Sequence, residues 1–415
     1  MADHFDSLET RDPAEREALF FTRFSEFLQA ALAAAPGLKR HLTSVDPASI
    51  TSREALSGLP VLRKNRLKAL QAEDPPFGGF APAAALVGTR MFMSPGPIWE
   101  PQPPGIDPWA VSRALHAAGF RRGDRVVNCF SYHVTPGGFM LDEGLRALGC
   151  NVFPSGPGES ERQAEAIAAL GATGYVGTPD FLKVILEKAA ETGKDVSSLR
   201  RALVSGGALF PKLRQFYAGR GISVTQAYAI ADVGVIAYEA MHEGAVCPGL
   251  VASEDMLVEI VRPGTGEPLP DGEVGEVVVT TLNPAYPLVR FGTGDLSAVL
   301  PGPSPCGRTN TRLRGWLGRA DQRTKVKGMF VDPAQIAAVL KRHPEIGRAR
   351  LVVERAGEQD RMTLRAEPKT DQSFDPAAVA ATLQAETRLR GEVEAVAPGT
   401  LPNDGKAIED LRKYD

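Results

Sequence analysis

Between residues 124 and 226, short apolar runs alternate with stretches of helical periodicity, and this alternation constrains the fold more than any other feature of the chain. Val126-Val127-Asn128-Cys129-Phe130 precedes a helical stretch at 141–148, and Asn151-Val152-Phe153 precedes one at 161–170. Gly174-Tyr175-Val176-Gly177 leads into 181–190, and Ala202-Leu203-Val204-Ser205 leads into a helix from Pro211 and a strand at 222–225. Strands joined through helices run in the same direction, so the pattern predicts βαβ units on a mainly parallel sheet. The style then changes. Met256-Leu257-Val258-Glu259-Ile260-Val261 and the run 273–280 flank Pro263-Gly264-Thr265-Gly266 and Pro270-Asp271-Gly272, which are turn signals between antiparallel strands.

A chain of 415 residues is longer than one core usually grows, so at least two domains are expected. After Asp321 a compact α+β pattern begins, with helices at 333–342 and 376–389 and strands near 349–353 and 362–365. The expected fold is therefore α/β: a large N-terminal domain, 1–320, with mainly parallel sheets plus a β-rich section, and a small α+β C-terminal domain, 321–415. Ahead of the sheet, Asp12, Pro13 and Glu15 mark the start of a helix running to about Ala35.

Composition narrows the class. With 43% hydrophobic and 23% charged residues, and no apolar run of about 18 residues, a soluble protein off the membrane is expected. The acidic start, Met1 to Asp6, lacks the pattern of a secretory signal and points to the cytoplasm. Cys129, Cys150, Cys247 and Cys306 form no CxxC pair. A net charge of −3 without a basic stripe argues against nucleic acid as a partner.

Four separated segments carry candidate chemistry. In Tyr286-Pro287-Leu288-Val289-Arg290-Phe291-Gly292-Thr293-Gly294-Asp295-Leu296, Asp295 stands at the exit of an apolar strand, free to accept two hydrogen bonds from a sugar diol. Alone it reads as a turn aspartate. In Gly318-Arg319-Ala320-Asp321, Arg319 can reach a nucleotide from a domain junction while Asp321 serves as a hinge; an ordinary surface arginine is the plainer reading. In Pro402-Asn403-Asp404-Gly405-Lys406, a turn presents Lys406, a residue suited to phosphoryl charge that grows in a transition state. After the strand ending near Thr225, Gln226-Ala227-Tyr228-Ala229-Ile230-Ala231-Asp232 offers Tyr228 to an adenine ring and Asp232 to Mg²⁺, against the alternative of a core tyrosine and a helix-capping aspartate.

Taken together, these segments resemble the phenylacetate-CoA ligase family of adenylate-forming enzymes, over nearly the whole chain from Leu8-Glu9-Thr10-Arg11 and Leu59-Pro60-Val61-Leu62-Arg63-Lys64 onward. The resemblance implies a ribose-binding role for Asp295, a hinge at Asp321 and an adenylation lysine at Lys406. It also implies an adenine-side loop at Ser205-Gly206-Gly207-Ala208, with Gln226, Ala227 and Tyr228 framing the base and Arg319 reaching ribose or phosphate. The C-terminal domain would be mobile, withdrawing Lys406 and bringing Lys327, Gly328 and Met329 to the adenylate for CoA attack. ATP, Mg²⁺ held by Asp232, coenzyme A and a small carboxylic acid are the implied cofactors and partners, and a homodimer is the implied assembly.

The chain departs from that pattern at the Mg²⁺ position, where Asp232 stands in place of the family's Glu and shortens the reach by one methylene, and in two further places. The family's phosphate-binding loop aligns with residues 90–101, where only Ser94 and Gly96 survive; Pro95 and Pro97 lack N–H donors, and Glu100 stands where a lysine is expected. Weaker pyrophosphate contacts are expected. A zinc cluster of relatives is reduced to His242, Cys247 and Cys306, with Ala240 and Ser304 standing where further cysteines are expected, so buried thiols are the preferred reading. For the acid, Tyr132, His133 and Gly138 are the candidate lining residues, and the neighbouring aromatics suit an aryl or otherwise apolar acid. Two other functions stay open: a nucleotide-binding homologue whose altered loop has lost turnover, and an adenylating enzyme with an acceptor other than CoA.

Overall fold

The computed structural model describes residues 3–262, 266–320, 324–356, 359–370, 372–401 and 407–412. Asp321 and Lys406 therefore lie outside the described residues. By internal contacts the chain divides into two compact units, Met1–Leu317 and Gly318–Asp415.

The larger unit is built on a sheet of eight strands. Its order is Arg312–Leu313, Leu250–Ala252, Gly234–Tyr238, Ser223–Ile230, Arg201–Val204, Gly174–Gly177, Arg125–Asn128 and Asn151–Pro154. The last five are parallel; the first three are added antiparallel. Side chains alternate between the faces, as a two-residue period requires. Val126, Val176 and Leu203 enter one core with Trp109, Leu115 and Leu145, whereas Val127, Tyr175, Ala202 and Val204 enter the other with Ile167, Leu182 and Leu213. Apolar on both faces, these strands need helices on both, and the crossovers Gly137–Ala147, Ser160–Leu170, Pro179–Glu191 and Pro211–Ala218 supply them.

One expected boundary is corrected. The strand expected to end near Thr225 continues to Ile230, because Ala227 and Tyr228 pair with Tyr238 and Ala237 of the antiparallel neighbour. A bulge between Tyr228 and Ala229 re-aims the last residues. Tyr228 thus lies on a strand, and Asp232 sits in the turn that follows it.

A second sheet joins Leu62–Arg63, Phe291–Ser297, Gly275–Thr281 and Met256–Val261. Arg290, just ahead of its second strand, is 1% exposed. Its guanidinium meets both oxygens of Glu259 at 3.0 Å and donates to the carbonyls of Ser57, Leu59 and Gly266 at 2.7, 2.6 and 2.7 Å. That fork ties the N-terminal segment to the sheet. The helix Pro13–Ala34 is capped by Asp12, which accepts from the N–H groups of Ala14 and Glu15, and buries Phe20, Phe24, Leu28 and Ala31 along one stripe. Glu9, buried beside Arg308 at 3.0 Å and accepting from the Tyr238 hydroxyl at 2.8 Å, fastens the segment before it to the larger sheet.

The smaller unit holds the antiparallel pair Ile346–Ala356 and Gln359–Pro368, flanked in parallel by Ile408–Asp410 and Glu392–Ala395. Pro333–Arg342 and Pro376–Thr387 pack with this sheet around Leu351, Val353, Leu364 and Leu383. The second helix stops two residues before the expected 389, where Arg388 adopts φ +60 and turns the chain. No helix among the described residues is long and apolar enough to cross a membrane.

Candidate active site

Asp295 lies within the strand Phe291–Ser297, not at its exit, and is 6% exposed. Its carboxylate is not free: Oδ2 accepts from the Tyr228 hydroxyl at 2.8 Å and Oδ1 from the Trp316 indole N–H at 2.9 Å. The correction has a physical reason. A carboxylate drawn into a sheet has to be matched by donors. Tyr228 is therefore engaged through its hydroxyl, and its half-buried side chain packs against the core that holds Ile236, Val258 and Val277.

The segment aligned with a phosphate loop is a two-stranded hairpin, Met91–Ser94 paired with Ile98–Pro101. Phe92, Ser94, Ile98 and Glu100 point inward and are buried; Met91 and Trp99 point out. Glu100 stands opposite Phe92 in register and reaches diagonally to Ser94, accepting from its hydroxyl at 2.5 Å and its N–H at 3.1 Å. The helix Lys64–Glu73 holds the hairpin from behind. Gln71 exchanges hydrogen bonds with the Trp99 backbone at 2.8 and 2.9 Å and donates to the Tyr286 hydroxyl at 2.9 Å, while Lys68 donates to the Gly96 carbonyl.

Asp232 is 4% exposed, and its Oδ2 receives the Lys64 ammonium at 2.6 Å. Its Oδ1 is buried with no hydrogen-bond partner among the described residues. An orphaned carboxylate oxygen is a suitable ligand for a hard cation, so the residues fit Mg²⁺ at this point. Burial, and then the negative charge of Asp232, push the Glu100 carboxyl up to about 8, with Lys64 and Ser94 opposing. The folded form thus keeps its proton to about pH 8, whereas an ordinary glutamate releases it near 4.5. The contribution of Glu100 to stability is fullest below 4.5 and falls as pH rises through that window. The Glu100→Gln protein is expected to melt a few degrees above wild type at pH 8, roughly 3 °C, with the gap closing toward pH 4.5 in calorimetric scans.

The other expected residues fall as follows. Ser205, Gly206, Gly207 and Ala208 follow the strand Arg201–Val204 at the end of the parallel sheet where ligands commonly sit; Gly206 has φ +73, and a Cβ on Gly207 would meet Pro179 at 3.2 Å. Gln226 is engaged elsewhere, its amide donating to Glu239 at 3.0 Å, and Ala227 is buried in the core. Tyr132 donates to Asp142 at 2.9 Å and accepts from Asn128 at 2.8 Å. Gly138 makes that placement possible, since a Cβ there would lie 2.8 Å from the Tyr132 ring. His133 is exposed on the loop before it. Cys247 and Cys306 are buried in one core; burial and the Cys306 thiol push Cys247 up to about 11, and Ser304 lies 3.1 Å from the Cys306 sulfur. Among the described residues no three His, Cys, Asp or Glu side chains gather as a metal site.

In the smaller unit Arg319 stacks over Phe330 at 5.4 Å. Lys327 and Gly328, both at positive φ, form the exposed two-residue turn between Thr324–Val326 and Met329–Val331. Sequence reasoning assigned no role to Lys64, Gln71 or Trp316. For Lys64 a signal existed: a lysine at the first position of a helix opposes the helix dipole, which implies a partner elsewhere.

The family model "AMP-binding enzyme" matches residues 110–285, which span most of the eight-stranded sheet and the strands that follow it. The phenylacetate-coenzyme A ligase of Thermus thermophilus is 32% identical over 377 residues, 87% of this chain and 83% of its own length. That of Escherichia coli is 30% identical over 382 residues, 88% and 85% of the two chains. A crystal structure of 2-hydroxyisobutyryl-CoA ligase in complex with 2-HIB-AMP and CoA superposes with a TM-score of 0.82 at 24% identity, covering 98% of this chain and 92% of that one. The chain belongs to the phenylacetate-CoA ligase family.

Proposed function

We propose that the chain is an ATP-dependent acid–thiol ligase that converts a carboxylic acid, aryl or otherwise apolar, to its acyl adenylate and then to a CoA thioester. The observation that carries this reading is the identity to phenylacetate-CoA ligases at 32% over 87% of the chain. The acid's carboxylate attacks the α-phosphorus of ATP in line, and pyrophosphate leaves. Asp295, held by Tyr228 and Trp316, accepts from the ribose hydroxyls; the loop 205–208 and the Tyr228 ring frame the base. Asp232 would hold Mg²⁺, which when bound lowers the charge on the leaving phosphates. Lys406 neutralises charge on the α-phosphate, and Arg319 reaches the ribose or phosphate. Asp321 is the hinge, and the Lys327-Gly328-Met329 turn serves the CoA half-reaction. Tyr132, fixed by Asn128 and Asp142, presents its ring to the acid over Gly138.

Asp295→Ala removes the ribose acceptor and leaves the Tyr228 and Trp316 donors unmatched. The KM for ATP is expected to rise by about tenfold or more, with the KM for CoA little changed. Equal loss for both substrates, with an unchanged melting temperature, would take Asp295 out of the nucleotide site.

A further inference from the structure

The hairpin 91–101 is poor in the groups that hold phosphate, and the few it has are already in use. Across residues 94–97 only Ser94 and Gly96 bear a backbone N–H, because positions 95 and 97 are proline. Both donors of Ser94, the N–H and the hydroxyl, end on the two oxygens of Glu100 at 3.1 and 2.5 Å. Glu100 is 1% exposed and Ser94 5%, so the contact is sealed within the protein. Two oxygens of one trigonal group taking a backbone N–H and a hydroxyl reproduce how a phosphoryl group is bound at such a turn. The carboxyl is a resident occupant of that seat. The hairpin bearing it is not slack, being tied through Gln71 to Tyr286 and the Trp99 backbone, and through Lys68 to the Gly96 carbonyl.

We propose that Glu100 is a specificity-determining residue of the nucleotide site: seated on the Ser94 donors, it competes with the β- and γ-phosphates, so the protein holds the adenylate portion well and the polyphosphate tail weakly. This deepens the ligase reading and rests on it. An AMP moiety, which carries no β- or γ-phosphate, does not contend with Glu100. ATP and pyrophosphate do. The consequence is a site that binds ATP loosely for its class, binds AMP and acyl adenylate normally, and resists inhibition by the pyrophosphate it releases.

The test compares ATP, AMP and inorganic pyrophosphate on the full-length protein, by titration calorimetry and by steady-state kinetics with a turned-over acid. Glu100→Ala and Glu100→Ser, the second keeping a small polar group in the buried position should the first fold poorly, free Ser94. Each is expected to tighten ATP and pyrophosphate by about tenfold while AMP and the KM values for acid and CoA stay put. Glu100→Gln keeps an isosteric occupant and is expected to bind ATP as wild type does. In a Ser94→Ala background, where only the backbone N–H remains, the gain from Glu100→Ala should shrink severalfold, which a merely structural role for Glu100 would not produce.

Unchanged ATP affinity in both small variants, with AMP still bound, overturns the proposal and leaves the ligase reading intact. A gain in Glu100→Gln equal to that in Glu100→Ala shows that occupancy of the seat on Ser94 is not what weakens ATP, and also overturns it. Absence of ATP and AMP binding in every protein, wild type included, overturns the ligase reading and the proposal with it.

Discussion

Replacing Lys406 by alanine is expected to slow acid-dependent release of pyrophosphate by about 10²–10³-fold, while the protein still makes thioester from supplied acyl adenylate and CoA. The argument is electrostatic. In-line attack on the α-phosphorus gathers negative charge on its oxygens as pyrophosphate departs, and a preorganised cation acts on that charge at the transition state, so its loss falls on kcat. Capture of the adenylate by a thiol needs no such help. Lys64, in the larger unit, is committed to Asp232 at 2.6 Å. The residue after Lys406 is anchored, the Ala407 carbonyl accepting from the Leu351 N–H at 2.9 Å as the chain enters the strand Ile408–Asp410. Alanine at 406 should therefore leave the fold alone. Rapid-quench measurement of the two half-reactions checks the split, and parallel loss in both would remove Lys406 from its role.

The largest stability effect is expected at Arg290. Alanine there strands the buried carboxylate of Glu259, already pushed above its ordinary range by burial, and leaves the carbonyls of Ser57, Leu59 and Gly266 without their donor. Removing one partner of a buried, hydrogen-bonded ion pair costs about 3–5 kcal/mol, and this one also joins the N-terminal segment to the sheet that carries Asp295. Lysine would restore the charge but not the fork, so Arg290→Lys should recover only part of the loss. The urea midpoint of the larger unit reports both; a shift under about 1 kcal/mol in Arg290→Ala would show that the surrounding structure relaxes around the gap.

The fold was legible where local pattern and long-range pairing agree. The βαβ alternation over 124–226 and the antiparallel strands after 256 announce themselves, because strands apolar on both faces and Gly/Pro turn clusters follow from local chemistry. Two misplaced strand positions share one cause. Ala227 and Tyr228 are strand residues through pairing with Ala237 and Tyr238, and Asp295 lies inside a strand through pairing across the second sheet, so neither is fixed by its own neighbours in sequence.

The site divides in the same way. Residues recognised by motif, such as Asp295, Tyr228 and Asp232, were visible; the residues that engage them were not. Trp316 reaches Asp295 from 21 positions along the chain, and Lys64 reaches Asp232 from 168. Glu100 was noticed as an acidic residue in a phosphate loop, but only the hairpin register explains where its carboxyl goes, to Ser94 rather than to solvent.

The most direct test of the account is a full-length assay with ATP, Mg²⁺ and a panel of aryl and aliphatic acids, following pyrophosphate, acyl-AMP and acyl-CoA by mass spectrometry with and without CoA. At least one apolar acid should release pyrophosphate and yield acyl-AMP without CoA, and convert to the thioester with stoichiometric AMP once CoA is added. ATP that binds yet yields no pyrophosphate with any acid, or an adenylate that CoA never discharges, would contradict it.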